Sequence, residues 1–198
     1  MIEANEDGGV LTLALNRPEK ANALTAEMLE TLCKAVETTS ARALILTGRG
    51  KVFSAGADLD EAPRGLATSP LWERLSGAIA SFTGLTVAAL NGTVAGGAMG
   101  MVLACDIRLA VAGTRAFYPV MKLGYLPQPS DPARLSTLVG PARAKMILIC
   151  GQKVAHDEAL LWGLFDRIVE NPETEAHALA ADSLAATAKH AAAIKALI

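Results

Sequence analysis

Two glycine-containing loops hold the residue types best suited to chemistry in this chain. Residues 55–58 follow a short apolar segment, and residues 96–98 open a segment of helical composition. The first N–H groups of a helix lack partners within it, and glycine lets a ligand approach the backbone closely. These amides could converge on one carbonyl oxygen, where each donor would lower the barrier to an enolate or a tetrahedral oxyanion by about 3 kcal/mol. Alternatively, Gly96, Gly97 and Gly100 only let this helix pack tightly against a neighbour.

Other catalytic motifs fail on spacing. Gly48 and Gly50 lack the third glycine of a dinucleotide fingerprint, and Lys51 precedes a valine instead of the Ser or Thr of a P-loop. Ser54 stands in VFSAG, which lacks the first glycine of a nucleophile elbow. The three histidines fall in segments typical of surface helices, without metal-ligand spacing to another His or Cys: His156, His177 and His190. We therefore predict no metal site.

Alternating strands and helices must position the two loops. Helical spacing of apolar residues predicts a helix capped by Thr25, and Ser69 and Asp131 are candidate caps for later helices because each precedes a proline. Apolar runs predict strands at residues 10–15, 43–47, 86–90 and 107–112. This alternation implies an α/β domain with a mainly parallel sheet.

Composition narrows the function classes. The chain has 198 residues, 52% of them hydrophobic, which suits one domain, residues 1–198, with a sizeable core. A net charge of -2 and 4% aromatic residues argue against nucleic-acid binding, which needs a basic footprint and stacking surfaces. No charged residue lies between Arg74 and Asp106, but glycines interrupt this stretch. We therefore expect buried strands and helices there, and no membrane partner.

The N-terminus and the cysteines indicate a cytoplasmic protein. The segment MIEANEDGG is acidic, and the apolar run after it is short, which is unlike a signal peptide. Cys33, Cys105 and Cys150 are odd in number, widely spaced and set in apolar surroundings. We predict that all of them are reduced core residues.

Five segments, taken in order, resemble the enoyl-CoA hydratase/isomerase (crotonase) superfamily. They are LNRPEKANAL (15–24), LILTGRGKVFSAGADLDE (44–61), AALNGTVAGGAMGMVLACDIRLA (88–110), LGYLP (123–127) and VGPARAKMILICGQKVAHDEALLWGLFDRIV (139–169). The resemblance implies a crotonase-like spiral of β-β-α units over about residues 1–170. It also implies a C-terminal helix over about residues 171–198, shorter than is usual in the family, and a homotrimer or a dimer of trimers.

The resemblance also implies an acyl-CoA substrate, with coenzyme A as part of the substrate and no tightly bound cofactor. The thioester carbonyl would sit in an oxyanion hole made by the backbone N–H groups of Ala57 and Gly97. The nucleotide and pantetheine would run, mainly through backbone contacts, along Lys20, Ala21, Ala55, Ala57, Asp58 and Leu59.

The chain departs from the family where the family places its acids. The two glutamates of the hydratases fall on Gly100 and Val120, and the acid that other branches place after the LG turn falls on Gln128. Hydration needs a general base and a general acid acting on water, which none of these side chains can supply. Ordinary hydration is therefore not expected, and isomerase, decarboxylase or hydrolase chemistry stays open.

Four other residues are candidates for the missing acid. Asp131 replaces a glycine of the family pattern, and it is either a relocated proton donor or, more simply, a helix N-cap. Glu73 is expected on a solvated helix face, Glu61 on a loop surface and Tyr125 in a pocket wall. The enzyme hypothesis thus depends on the two amides, with Asp131 or water as the proton donor.

A second hypothesis is an acyl-CoA-binding or assembly subunit that has lost its chemistry. The missing glutamates favour it, whereas the intact glycine loops favour an enzyme. The segment AAAIKALI is apolar, so Ile194, Leu197 and Ile198 are predicted to lie at a subunit contact. A short C-terminal part would leave the acyl site open.

Overall fold

The computed structural model, which describes residues 1–198, contains ten strands and nine α-helices. The strands are β1 (Ile2–Asp7), β2 (Val10–Leu15), β3 (Ala43–Gly48), β4 (Val52–Ser54), β5 (Leu85–Leu90), β6 (Thr93–Ala95), β7 (Ile107–Ala110), β8 (Arg115–Phe117), β9 (Val154–Ala155) and β10 (Arg167–Ile168). The helices are α1 (Ala26–Thr38), α2 (Leu71–Ala80), α3 (Ala98–Leu103), α4 (Val120–Leu123), α5 (Asp131–Val139), α6 (Pro141–Leu148), α7 (His156–Trp162), α8 (Pro172–Ala185) and α9 (Ala188–Lys195).

The larger sheet has the strand order β1-β2-β3-β5-β7-β10 and is parallel except for β1. All residues of β2 and β3 are buried, as expected of parallel strands covered on both faces. The predicted parallel sheet is confirmed. The antiparallel strand β1 was not predicted, because its acidic, exposed residues carry no apolar alternation. Gly8 and Gly9, with φ of +56° and +84°, make the turn that joins it to β2.

The smaller sheet has the order β4-β6-β8-β9, and its first three strands are parallel. It arises because the chain repeats a unit of two strands and a helix: β3-β4-α2, β5-β6-α3 and β7-β8-α4. The first strand of each unit joins the larger sheet and the second joins the smaller one. The expected spiral of β-β-α units is therefore confirmed.

Two helix starts differ from the prediction. Pro70 is the N-cap of α2, and the Ser69 hydroxyl accepts a hydrogen bond from the Leu71 amide at 3.3 Å. Ser130 is the N-cap of α5, and Asp131 is its first residue without making a capping hydrogen bond. The prediction that Asp131 caps this helix is wrong, because its carboxylate turns into the protein instead.

The C-terminal part also differs in detail. The single expected helix is two helices, α8 and α9, and the Thr187 hydroxyl caps the second by accepting from the His190 amide at 3.2 Å. The Lys195 ammonium fixes α9 to the larger sheet by donating to the Gly84 carbonyl at 2.8 Å and to the Asp106 carboxylate at 2.7 Å. The side chains of Ile194, Leu197 and Ile198 are exposed.

Two further predictions concern burial. Cys33 and Cys105 lie in the core, but Cys150 is exposed at the end of α6, so its assignment to the core is wrong. The uncharged stretch between Arg74 and Asp106 folds into most of α2, then β5, β6 and α3. No helix combines the length and the apolar character needed to cross a bilayer.

Candidate active site

Three chain segments meet at one edge of the smaller sheet. Because β4, β6 and β8 are parallel neighbours, the residues that follow them emerge side by side. These are Ala55 to Ala57 after β4, Gly96 and Gly97 after β6, and Tyr118 after β8. The Gly96 amide donates to the Phe117 carbonyl at 3.1 Å and ties the last two segments together. Each repeat thus contributes one segment to a common site.

The first two segments touch backbone to backbone. Gly56 has a φ of +93°, and a Cβ placed on it would lie 2.8 Å from the Ala95 carbonyl oxygen and 3.3 Å from the Gly96 Cα. Gly96 has a φ of +58°. A side chain at Gly56 would be strained and would push the segments apart, so the close approach requires glycine there.

Two amides at this contact are unused. The N–H groups of Ala57 and Gly97 donate no hydrogen bond within the protein. Their neighbours are engaged: the Gly56 amide donates to the Ser54 hydroxyl at 3.1 Å, and the Asp58 amide donates to the Leu24 carbonyl at 2.9 Å. Ala57 and Gly97 are half-buried and line the same cavity of about 280 Å³. Two residues with free donors therefore line one cavity, which is open to solvent on the side of Leu59 and Leu126.

The glycines of the second loop also allow tight packing, as the alternative interpretation holds. A Cβ on Gly97 would lie 3.0 Å from the ring of Trp72, and a Cβ on Gly100 would lie 3.0 Å from both carboxylate oxygens of Asp131. Packing against the Trp72 ring thus favours glycine at Gly97. Gly100 lies one turn further along α3, and there packing alone explains the residue.

An ion pair shapes the loop after β4. The Arg17 guanidinium donates to the Asp58 carboxylate at 2.6 Å, and this hydrogen bond lowers the pKa of Asp58. The same carboxylate accepts from the Asp60 amide at 2.9 Å. The Asp58 side chain therefore holds the loop in shape and does not line the cavity.

Asn22 is a second support of this loop that the sequence did not single out. The side-chain Nδ2 of Asn22 donates to the backbone carbonyls of Arg49 at 2.9 Å and Val52 at 2.7 Å. Its side-chain Oδ1 accepts from the backbone amide of Arg17 at 2.8 Å. It is fully buried and has a φ of 52°, a conformation that asparagine tolerates better than most residues. The only signal in the sequence was an asparagine directly after the turn that follows Pro18.

Some of the residues expected to contact coenzyme A lie in contact with one another or line the cavity. The Ala55 amide donates to the Ala21 carbonyl at 3.0 Å, which joins the turn of Lys20 and Ala21 to the loop after β4. Ala55, Ala57 and Leu59 line the cavity. Leu59 is 87% exposed, and Lys20 is exposed beside the cavity residues without lining the cavity.

The cavity wall is apolar. Its other side is formed chiefly by Trp72, Pro119, Val120, Leu123 and Leu126. No carboxylate, histidine, cysteine, lysine or arginine lines it, so its titratable side chains are those of Tyr118 and Tyr125. Gln128 and Val120 do line it, at two positions where the family resemblance placed acids.

A buried carboxyl group lies behind this wall. Asp131 has no exposed surface, and its Oδ2 accepts a hydrogen bond from the Tyr118 hydroxyl at 2.9 Å. Its Oδ1 has no partner, and the Arg134 guanidinium is 3.9 Å away. Burial raises the pKa of Asp131 to about 6 and also raises the pKa of Tyr118. The sequence indicated Asp131 but not Tyr118, whose only signal is its place directly after β8.

The two candidate glutamates have structural partners. Glu73 accepts hydrogen bonds from the Ser130 amide at 3.2 Å and from the Ser130 hydroxyl, so the expectation of a solvated helix face is wrong. Glu61 accepts from the Ala26 amide at 2.8 Å, at the start of α1. Glu61 thus ties its loop to the start of α1, and Glu73 ties α2 to the start of α5. Neither lines the cavity.

Sequence comparisons match nearly the whole chain to one protein family. A family model described as enoyl-CoA hydratase/isomerase matches residues 5–198. 4-Chlorobenzoyl coenzyme A dehalogenase-2 of an Arthrobacter species is 36% identical over 182 residues, and the match covers 84% of this chain but only 65% of that protein. The short-chain-enoyl-CoA hydratase of Clostridium acetobutylicum is 33% identical over 182 residues, covering 85% of this chain and 68% of the hydratase.

Solved structures agree with the fold. An enoyl-CoA hydratase from Bacillus anthracis superposes with a TM-score of 0.88 at 27% identity, covering 96% of this chain and 79% of that one. Pseudomonas aeruginosa DspI superposes with a TM-score of 0.89 at 30% identity, covering 99% of this chain and 85% of that one. The two-sheet spiral is therefore shared with solved relatives over nearly its full length.

Proposed function

The chain belongs to the enoyl-CoA hydratase/isomerase family, and from this premise we propose that it stabilises the enolate of an acyl-CoA thioester. The backbone N–H groups of Ala57 and Gly97 would bind the thioester oxygen. The nucleotide and pantetheine would run past Lys20, Ala21 and Ala55 toward that oxygen.

One observation carries the proposal: the two amides without protein partners in one apolar cavity. A donor that is already oriented needs no reorganisation when negative charge develops on an oxygen. The largely apolar wall of the cavity also makes its hydrogen bond to that charge stronger than the same bond in water. A thioester carbonyl gains such charge when it becomes an enolate.

The reaction that fits this cavity best is loss of carbon dioxide from a malonyl-type thioester. The bond between the α-carbon and the carboxyl group breaks, its electron pair moves through the α-carbon to the thioester oxygen, and one proton then returns to carbon. This sequence needs two oxyanion donors and one proton source. Hydration also needs a base for water, and no carboxylate lines the cavity to act as one.

The second candidate function is an acyl-CoA-binding subunit without turnover. The specific observation that favours it is the absence of any acid or histidine from the cavity wall. The two functions differ in what happens after binding, which makes a product assay decisive.

The test is mass spectrometry of the purified protein with crotonyl-, 3-enoyl- and malonyl-CoA. A product should form from the malonyl-type thioester, and Ala57→Pro should slow its formation about 100- to 1000-fold because proline has no N–H. Ala57→Ser keeps the N–H and should slow product formation less than Ala57→Pro does. Thermal unfolding checks that both variants are folded. Binding without product from all three compounds would favour the silent subunit, and rapid hydration of crotonyl-CoA would overturn the account of the cavity.

A further inference from the structure

The Asp131 carboxyl is a buried ionisable group with no role in enolate stabilisation by the amides of Ala57 and Gly97. It has no exposed surface, one unpartnered oxygen, and no cation within hydrogen-bond distance. Burying a charge without a close partner costs stability, and the helix that Asp131 begins gains no cap from it. A structural role therefore explains this side chain poorly.

Tyr118 connects Asp131 to the cavity. It lines the cavity wall, and its hydroxyl is the only side-chain group that donates to Asp131 within hydrogen-bond distance. It also follows β8, just as Ala57 and Gly97 follow β4 and β6. The three parallel strands thus deliver two amides and one hydroxyl to the same edge of the smaller sheet.

We propose that Tyr118 is the catalytic residue that carries a proton to and from the α-carbon of the bound thioester, with Asp131 as the positioning residue that supplies and accepts this proton behind it. The proposal rests on the proposed enolate chemistry and names the proton carrier which that chemistry lacks.

The protonation state of Asp131 sets the direction of the Tyr118 hydroxyl. When Asp131 is ionised, the hydroxyl donates to Oδ2. The tyrosine oxygen accepts from the Gln128 amide at 3.4 Å, which leaves its other lone pair for the cavity. When Asp131 is protonated, it donates to the tyrosine oxygen, and the tyrosine proton can turn toward the cavity. One hydroxyl can thus accept or deliver a proton.

The proton transfer balances in both directions. In abstraction, the Cα–H bond breaks, its electron pair moves to the thioester oxygen, and the proton goes to the Tyr118 oxygen. The original hydroxyl proton of Tyr118 moves to Oδ2 of Asp131. In delivery, the enolate electron pair takes the Tyr118 proton at carbon, and Asp131 returns its proton to the tyrosine oxygen. Neutral tyrosine is restored each time.

Three groups face the Asp131 carboxyl and set its titration. The Tyr118 hydrogen bond and the Arg134 charge lower its pKa, and the charge of Glu73 raises it, but burial dominates and leaves the pKa at about 6. Abstraction requires ionised Asp131, so its rate should rise with pH through this value. Delivery requires protonated Asp131, so its rate should fall through the same value.

The test is exchange of the α-protons of butyryl-CoA in D₂O, followed by mass spectrometry between pH 5 and pH 8. Exchange requires abstraction, so the wild-type rate should rise through about pH 6 and then level off. Tyr118→Phe should slow exchange at least about 100-fold. Tyr125→Phe is the matched control, because it removes the other tyrosine hydroxyl of the cavity. It should slow exchange less than Tyr118→Phe does. Asp131→Asn should abolish the pH inflection as well as most of the rate.

The outcomes separate this proposal from the proposed function. If Ala57→Pro stops exchange but Tyr118→Phe does not, the oxyanion hole stands and the tyrosine proposal falls. No exchange by the wild type overturns both. If Tyr118→Phe fails to fold, the pH profiles decide: an inflection that persists in Asp131→Asn, or a flat wild-type profile, contradicts the role of Asp131.

Discussion

Strands β2, β3 and β5 of the larger sheet have six residues each, whereas β4, β6 and β8 of the smaller sheet have three each. The long strands pair in continuous register. The pairing of β4 with β6 shifts register between Val52 and Ser54. The long strands satisfy their backbone groups with each other, but the short strands end early.

The different strand lengths explain how one repeat produces both a scaffold and a site. Where the short strands end, Ala57 and Gly97 keep free amides, and Asp131, which contacts Tyr118 from α5, keeps an unpartnered oxygen. Unused polar groups of this kind cost stability, which the apolar larger sheet offsets. Substitutions in the larger sheet should therefore change stability, and substitutions at the edge of the smaller sheet should change activity.

The largest effect on stability is expected from Ile45→Ala in the middle of β3. Ile45 is fully buried and packs in the cluster that contains Val87 and Leu109. Removing its side chain should lower the free energy of unfolding by about 2–5 kcal/mol. Urea unfolding measures this loss. The activity per folded molecule should be unchanged, and a large loss of activity in the folded variant would show that the two sheets are not separable.

A smaller effect of opposite sign is expected from Asp131→Asn. The pKa of Asp131 rises from 3.8 to about 6 on folding, so the native state binds the proton more tightly and wild-type stability falls as pH rises from about 4 to 6. The asparagine variant does not lose stability in this way, because asparagine does not ionise. At pH 7.5 the variant should be more stable by up to about 3 kcal/mol, and the gain should shrink toward pH 4. Urea unfolding at pH 4, 5 and 7.5 tests this, and a gain that does not vary with pH would contradict it.

The smallest effect is expected from Thr25→Ala at the start of α1. The Thr25 hydroxyl accepts from the Met28 amide at 3.2 Å, and loss of such a cap costs about 1 kcal/mol. The matched control is Thr187→Ala, which removes a similar cap from the exposed helix α9 and should cost less. For either variant, the loss of thermal stability relative to the wild type should not depend on pH, because neither threonine titrates. An equal cost at both positions would mean that burial of α1 adds nothing to its cap.

Features of the sequence that are local in the chain predicted the fold well. The run at residues 43–47 gives a buried strand, and Thr25 caps α1 as its spacing with Met28 indicates. Three-residue strands such as β4 and β6 are too short to show a period, and β1 is too polar. Element types were therefore predictable where apolar segments were long enough to repeat.

The site was predictable only in its backbone. The contact of Gly56 with Gly96 was predictable because two backbone segments that approach so closely leave no room for a side chain, which favours glycine. Asp131 directly precedes a proline, as Ser69 does before α2, and this local pattern suggested a cap. The partner that decides its role, Tyr118, comes from another element, and no short-range pattern records that contact.

The most direct test of the central claim is the infrared carbonyl stretch of butyryl-CoA labelled with ¹³C at the thioester carbonyl and bound to the protein. If the amides of Ala57 and Gly97 both donate to this oxygen, the bound carbonyl should absorb at lower frequency than in water. Ala57→Pro should remove part of the shift, since one donor remains. A bound carbonyl with an unshifted frequency, or a shift that Ala57→Pro leaves intact, would contradict the account.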